Sequence, residues 1–590
     1  MAKPANGKVV EQAKDPRGAL RFLWSYLQKF WGLLFVALVL TIAGNTLALV
    51  GPDLSGKAID AIKDAGEVDF DIVFHYAALM AVFFVTSSAF SYCLALLMRS
   101  ISQKMVKQMR NDVFDKLMRL PVSYFDTHMA GDIISRVSYD IDVINTSIST
   151  DVVQILASIV TITVSFVMMV KISPILVIVM CVTIPASFIF TKKMTKITRP
   201  KFSTRSKCLG EMNGYVEESV GGQKIIQGYA CEEVYTKRFD IVNTKATDAY
   251  YDADRMQAKI GPTVNLINNL SLCLVTAFGA LLYILEFMTL GKVSSFVLYS
   301  RKFSGPINEA ANILGELQSA LAAAERVNRI LSEEDEISDV ENATELKDIE
   351  GNVEIKELSF GYTKEKAILK NFNLKAEAGK LIAIVGPTGS GKTTLINLLM
   401  RFYDPNLGTI RVDGTENREA TRESLRKQYA MVLQDTWLFG GTIFENIAYG
   451  KKDATMEEVV EAAKAARIHN FIMHQPKGYD TLLSEDGVNI SRGQKQLLTI
   501  ARAMLLDARM LILDEATSNV DTRTEKKIQS AMEKLMEGKT CFIIAHRLST
   551  IQHADCIIVV KDGEIAESGK HEELIKKRGA YYELYAAQLR

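Results

Sequence analysis

Gly386-Pro387-Thr388-Gly389-Ser390-Gly391-Lys392-Thr393 decides how this chain is read. The octet fits G-x-x-x-x-G-K-[ST] and stands between an apolar run at residues 381–385 and a helix-like segment. Glycines at these positions let backbone N–H groups wrap phosphate oxygens. The helix that follows adds its positive N-terminal end. In this pattern Lys392 reaches the β- and γ-phosphates of a nucleoside triphosphate, and Thr393 offers its hydroxyl to Mg²⁺.

Further along, Met510-Leu511-Ile512-Leu513-Asp514-Glu515 is an apolar run ending in two acids. A buried strand of this kind places Asp514 and Glu515 at the carboxyl edge of a sheet, where open α/β folds bind ligands. Asp514 suits the Mg²⁺ shell and Glu515 suits polarising an attacking water. Alone, a strand ending in Asp-Glu is weak evidence; beside the phosphate loop it is strong. Residues 381–385, 541–545 and 556–560 are short apolar runs that predict buried strands, and residues 353–360 alternate as a strand does. The second half therefore reads as a soluble α/β domain.

Five more motifs stand around these, and with them the chain resembles the ATP-binding-cassette transporters over nearly its whole length. Tyr362 resembles the aromatic that stacks on adenine. Gln434 resembles the glutamine that touches Mg²⁺ and links to the membrane domain. Ile490-Ser491-Arg492-Gly493-Gln494 resembles the family signature Leu-Ser-Gly-Gly-Gln, and His546 resembles the switch histidine at the γ-phosphate. Ser518-Asn519-Val520-Asp521 resembles the D-loop of the dimer interface. The resemblance implies ATP and Mg²⁺ as cofactors. It implies catalytic roles for Glu515, His546, Lys392 and Gln434, and metal contacts from Thr393, Gln434 and Asp514. Nucleotide contacts come from Tyr362, Gly386, Pro387, Thr388, Gly389, Ser390, Gly391, Lys392, Thr393 and Thr394, and across a dimer from Ser491, Gly493 and Gln494. Arg492 departs from the family glycine; it is either a tolerated variant or a weakened donor surface for the partner's nucleotide.

The first half is of another kind. Over 590 residues, 69 Lys and Arg balance 69 Asp and Glu, which gives no support to a nucleic-acid partner. Apolar residues crowd into runs near 30–50, 73–98, 152–170, 175–190, 262–288 and 293–324. A helix needs about 20 residues to cross a hydrocarbon core of about 30 Å. Six spans are counted, the sixth carrying polar residues. Lysines and arginines fill the loops after spans two and four, whereas the loop after span one is acidic. Both long loops, both termini and the ATPase domain are thus expected in the cytoplasm. These loops hold few Gly or Pro, so the membrane helices are expected to continue beyond the bilayer. The expected layout is a six-span α-helical transmembrane domain with two intracellular coupling loops at 1–330, a linker at 331–352, and an α/β P-loop nucleotide-binding domain at 353–590. The N-terminus is polar and does not read as a secretory signal. Seven scattered cysteines, with no C-x-x-C pair, read as free thiols.

A membrane domain ahead of the cassette resembles the exporter branch, and most closely the catalytically complete subunit of bacterial heterodimeric multidrug exporters. Pro121-Val122-Ser123-Tyr124-Phe125-Asp126 and Gly131-Asp132-Ile133-Ile134-Ser135-Arg136-Val137 look like its first coupling region, and Gly210-Glu211-Met212-Asn213-Gly214 begins a segment like its second. The resemblance implies ATP-driven export of amphiphilic or drug-like small molecules from a bacterial plasma membrane. The partner is a second half-transporter, either a different chain with a degenerate ATP site or a second copy. Lipid or peptide export is the alternative, and an ATP-gated channel or regulator on the same frame is a further one. Arg301 and Lys302 in the sixth span either pair with acids or snorkel, or they line the pathway and favour anionic or amphiphilic substrates.

Overall fold

A computed structural model describes residues 13–62, 68–363, 366–434, 436–484, 489–514, 521–544 and 551–588; side chains are described only in part between 181 and 195 and between 308 and 312. The chain divides into two compact units. The first comprises residues up to Leu120 together with His128–Glu334, and the second joins Pro121–Thr127 to Asp335–Arg590.

The first unit is helical. Pro16–Leu27 starts at Asp15, whose carboxylate accepts from the Gly18 N–H at 3.0 Å. The long helices are Trp31–Asp60, Phe70–Arg119, Val152–Ile172, Pro174–Gly221, Glu232–Ile284 and Leu290–Ser332. Ser173 and Pro174 separate the third from the fourth. Ser173 is extended, its hydroxyl accepts from the Leu176 N–H at 3.4 Å, and Pro174 takes the first helical position, where its missing N–H costs nothing. The 53 residues of Glu232–Ile284 span about 80 Å at ~1.5 Å per residue, far beyond a bilayer core. The gly- and pro-poor loops of the sequence are thus continuations of the membrane helices.

Among the described residues, four stretches are both long and apolar enough to cross a membrane: Pro16–Asp60, Phe70–Arg119, Ala130–Ile172 and Glu232–Ile284. Pro174–Gly221 and Leu290–Ser332 have the length. The apolar part of the former falls partly on side chains outside the description, and the latter carries Arg301, Lys302, Glu309 and Glu316. The sixth helix is fastened to the first. Tyr299 and Ser295 donate to the Leu49 and Pro52 carbonyls at 2.7 and 2.8 Å, and Asp60 accepts from the Gly291 N–H and the Thr289 hydroxyl, each at 2.7 Å.

In the second unit, strands β1 (Val353–Phe360), β2 (Leu369–Ala376), β4 (Leu407–Val412) and β5 (Thr415–Glu416) form an antiparallel sheet in the order β2-β1-β4-β5. The expected alternation of β1 breaks at Glu357. There φ is +48° and the register with β4 jumps between Lys356 and Ser359, a bulge. A two-stranded pair joins β7 (Gly441–Thr442) to β8 (Leu482–Leu483).

The main sheet has six strands. It comprises β3 (Leu381–Val385), β6 (Tyr429–Val432), β9 (Met510–Asp514), β10 (Thr540–Ile544), β11 (Cys556–Lys561) and β12 (Glu564–Gly569), in the order β12-β11-β3-β10-β9-β6. All pair in parallel except β12. Ala383, Leu511, Leu513 and Ile543 point into one core, and Ile384, Met510, Ile512 and Phe542 into the other. Both faces are covered, which is why these strands read as continuous apolar runs.

Candidate nucleotide site

The sheet register fixes where the site lies. Ile384, Ile544 and Asp514 pair across β3, β10 and β9 in one row at the carboxyl edge. The phosphate loop leaves this edge one residue after Val385 and ends in the helix Lys392–Leu399. Gln434 follows β6 by two residues at the same edge and is exposed. Parallel pairing thus gathers to one edge groups far apart in sequence.

The loop's shape depends on its glycines. Gly389 and Gly391 have φ of +83° and +104°, in the left-handed region. A Cβ on Gly391 would also lie 2.8 Å from Leu369 Cδ2, and one on Gly386 would collide with the Val560 carbonyl. Pro387, Thr388 and Gly389 are exposed, whereas Ser390 and Lys392 are buried. The Ser390 hydroxyl has no hydrogen-bond partner in the structure. A buried, unpaired hydroxyl in this glycine-rich loop fits a phosphate oxygen.

Lys392 is folded back on its own loop. Its ammonium donates to the Gly386 and Pro387 carbonyls at 2.9 and 3.0 Å. Burial lowers its pKa from the ordinary lysine value, while the charge of Asp514 opposes that shift. A polyanion arriving at the loop offers this half-desolvated cation a better partner than two carbonyls. Thr393 is exposed on the first helical turn. Hydroxyl, carboxylate and amide oxygens from Thr393, Asp514 and Gln434 are hard donors of the type Mg²⁺ takes. Among the described residues no group of three or more His, Cys, Asp or Glu gathers as a metal cage.

Tyr362 is joined to the loop's helix through Thr394 and Asn397. It is 47 % exposed, and its ring meets Phe360 and Tyr403 edge-on at centroid distances of 5.1 and 5.0 Å. Its hydroxyl donates to Thr394 Oγ1 at 3.2 Å and accepts from Asn397 Nδ2 at 3.2 Å. Thr394 is buried and thereby tied to the aromatic. The ring is held at edge and tip and keeps open surface for stacking on a base. Tyr403 and Asn397 are members of this arrangement that the sequence reading missed; Arg401-Phe402-Tyr403-Asp404-Pro405 stands out only as an aromatic-rich turn. The Tyr403 hydroxyl in turn donates to Asp126 Oδ2 at 2.6 Å.

The signature residues start a helix, Arg492–Leu506. Ser491 Oγ accepts from the Gln494 N–H at 3.3 Å, and Gln494 Oε1 accepts from the Ser491 N–H at 2.8 Å. Serine and glutamine therefore form a capping box that fixes the helix start. Gly493 is buried and Arg492 is exposed. Glu515, His546 and residues 518–520 lie outside the described residues; Asp521 caps the helix Thr522–Met536 by accepting from the Thr524 N–H at 2.9 Å.

Comparison with known proteins bears on this arrangement. The family model described as "ABC transporter transmembrane region" matches residues 34–307, and that described as "ABC transporter" matches residues 369–518. An uncharacterized ABC transporter ATP-binding protein of Bacillus subtilis (strain 168) is 42 % identical over 586 residues, covering 99 % of this chain and 97 % of that protein. A fatty acid ABC transporter ATP-binding/permease protein of Mycobacterium bovis is 42 % identical over 520 residues, covering 88 % and 82 %. A putative multidrug export ATP-binding/permease protein of Bacillus subtilis (strain 168) is 35 % identical over 580 residues, covering 97 % and 99 %. Among solved structures, a bacterial Atm1-family ABC exporter with ATP bound superposes with a TM-score of 0.76 at 27 % identity, covering 96 % of this chain and 99 % of that one.

Proposed function

The chain belongs to the ABC transporter family as an exporter with membrane and ATPase domains fused, and from this premise we propose that it pumps amphiphilic small molecules as one half of a dimer. It is an integral membrane protein that couples ATP hydrolysis to export. The proposed placement is a plasma membrane with the ATPase domain in the cytoplasm. The proposed division is a transmembrane domain at 1–330, a linker at 331–352 and a nucleotide-binding domain at 353–590. Relatives are named for fatty acid transport and for multidrug export, and the first of these cargoes is an amphiphile, which supports an amphiphile here.

The observation that carries the reading is the phosphate loop, with Lys392 donating to its own carbonyls and the Ser390 hydroxyl buried without a partner. On binding ATP, the loop N–H groups and Ser390 would take the phosphates, and Lys392 would exchange two carbonyls for them. Tyr362 would stack on adenine. Bound Mg²⁺, held by Thr393, Gln434 and Asp514, would neutralise phosphate charge. Glu515 would accept a hydrogen bond from the attacking water, with His546 contacting the γ-phosphate. Ser491, Gly493 and Gln494 would close over the nucleotide of the other half.

The test is Mg²⁺-ATPase activity of the full chain in lipid nanodiscs, with Glu515→Gln as control. Activity lost by orders of magnitude in the variant, with ATP still bound, supports the assignment. Near-normal hydrolysis in the variant removes Glu515 from its role. Robust activity from this chain alone means a working homodimer; well-folded chain with little activity calls for a different partner chain.

A further inference from the structure

We propose that Asp140 and Arg326 are a positioning pair that hands movement of the ATPase domain to the sixth helix. The proposal rests on the export reading above and names the joint that its two domains would share.

The chain passes between its two units at three points: into the second at Pro121, back to the first at His128, and out again at Asp335. The last two crossings flank this pair. Asp140 ends the π-helical segment Arg136–Asp140, a short way after His128. Arg326 lies near the end of Leu290–Ser332, shortly before Asp335. One ion pair thus ties together the two segments of the membrane unit that run directly to the other unit.

The contact is a fork. Arg326 Nε donates to Asp140 Oδ2 at 2.8 Å, and Nη2 donates to Oδ1 at 2.7 Å. Asp140 is 1 % exposed, and Ile141 and Ile144 on its side and Ala323 and Ile330 on the side of Arg326 are fully buried. Stability alone does not call for charges in such an apolar seam. Two charges taken out of water lose about what their attraction returns, and an apolar pair of similar volume holds a seam as well. What the fork adds is direction. Two parallel N–H···O bonds fix angle and distance together, where apolar side chains can slide.

The backbone explains why direction matters here. Two π-helical turns, Arg136–Asp140 and Ser147–Asp151, stand on either side of Ile141–Thr146. Such turns are rare, gather at functional sites and let a helix bend. Asp140 lies at the end of the first and ahead of the second. A displacement arriving from Pro121–Thr127 therefore meets Arg326 before the second turn can absorb it. The sixth helix receives it close to the point where the chain leaves for the ATPase domain.

The test is amide hydrogen exchange of the full chain in lipid nanodiscs, read by mass spectrometry with and without a non-hydrolysable ATP analogue. In the parent the analogue should change exchange in residues 128–140 and 320–332 together. Asp140→Leu combined with Arg326→Met keeps the seam filled and should retain parental thermal stability and ATP affinity. In that variant the analogue should still alter 128–140 and leave 320–332 unmoved. Swapping the charges, Asp140→Arg with Arg326→Asp, should restore part of the response. In inverted vesicles the apolar variant should accumulate at least about fivefold less of a fluorescent fatty acid per ATP hydrolysed than the parent. A parent without the joint response, or an apolar variant that keeps the response of 320–332, overturns the proposal. So does a charge-swapped variant of parental stability that recovers nothing. Should the apolar pair lower stability, the charge-swapped variant decides by the same readings. A parent that hydrolyses ATP yet accumulates no probe removes the export reading, and hydrogen exchange still decides the joint.

Discussion

The Tyr403 hydroxyl donates to Asp126 Oδ2 at 2.6 Å, across 277 residues of sequence. Asp126 belongs to Val122–Thr127, in the stretch of the first half that folds into the second unit. Tyr403 in turn meets Tyr362 edge-on. A base stacked on Tyr362 is thereby two contacts away from this segment. Burial, then the hydrogen bond and charge of Asp126, push the Tyr403 ionisation far above its ordinary value, so the phenol remains a donor at any working pH. Tyr403→Phe and Asp126→Asn are each expected to cost roughly 1 kcal/mol of the coupling between nucleotide binding and transport, at the low end for a hydrogen bond to a charge because the pair is exposed. The check is a double-mutant cycle on ATP-driven uptake into inverted vesicles, normalised to nucleotide affinity. The double variant should be no worse than the worse single one, and fully additive losses would separate the two residues.

Lys392→Ala should weaken ATP binding at least about tenfold, since it removes a charge-assisted contact to phosphate. Lys392→Arg should fail to restore it, because Lys392 is only 8 % exposed and a guanidinium is wider than the ammonium it would replace. Titration with a fluorescent ATP analogue measures both, and wild-type affinity in either variant would contradict the geometry.

Where local chemistry decides, the fold was legible. Residues 353–360 and 381–385 were read as strands and are strands, because two-sided burial leaves short apolar runs and one-sided burial leaves alternation. The carboxyl-edge position of Asp514 followed from the same logic. What stayed hidden was decided by distant neighbours. Tyr403 looks like a surface aromatic until the pairing with Asp126 is seen. Glu336 and Asp339 fall in the stretch expected to be a linker, yet they bind Arg426 and Arg422, 90 and 83 residues away. No local period carries that information.

The linker contacts carry a prediction of their own. Asp339 accepts from the Arg422 N–H and from Arg422 Nη1, both at 3.0 Å, and pairs with Arg401 Nη1 at 3.5 Å. Arg401 and Arg422 are buried at 4 % and 9 % side-chain exposure, while Asp339 keeps 30 %. Asp339→Ala leaves both buried cations with Asp404, and Arg422 with Glu336 besides at 3.6 Å. The expected loss is about 2–3 kcal/mol, below the cost of breaking a fully buried pair. Earlier thermal unfolding and faster proteolysis near Ser332 would show it; an unchanged cleavage rate would mean the arginines do not anchor the linker.

Asp413 offers a pH signature. With Gly414 it forms the two-residue turn between β4 and β5, and both have positive φ, +46° and +84°. Its carboxylate accepts from the N–H groups of Glu350, Gly351 and Asn352 at 2.7, 3.1 and 2.8 Å. Burial alone would raise its pKa. The hydrogen bonds from Gly351, Asn352 and Glu350 outweigh burial and hold it below the ordinary carboxylate value. A depressed folded-state pKa means that the stabilisation is complete above the unfolded value near 4 and is lost as pH falls through the lower folded value. Asp413→Asn should therefore be less stable than the parent at neutral pH, with a gap that is constant above about pH 5 and shrinks below about pH 4. Denaturant unfolding across that range measures it. A gap that persists undiminished into acid would assign the loss to turn conformation rather than to the charged carboxylate.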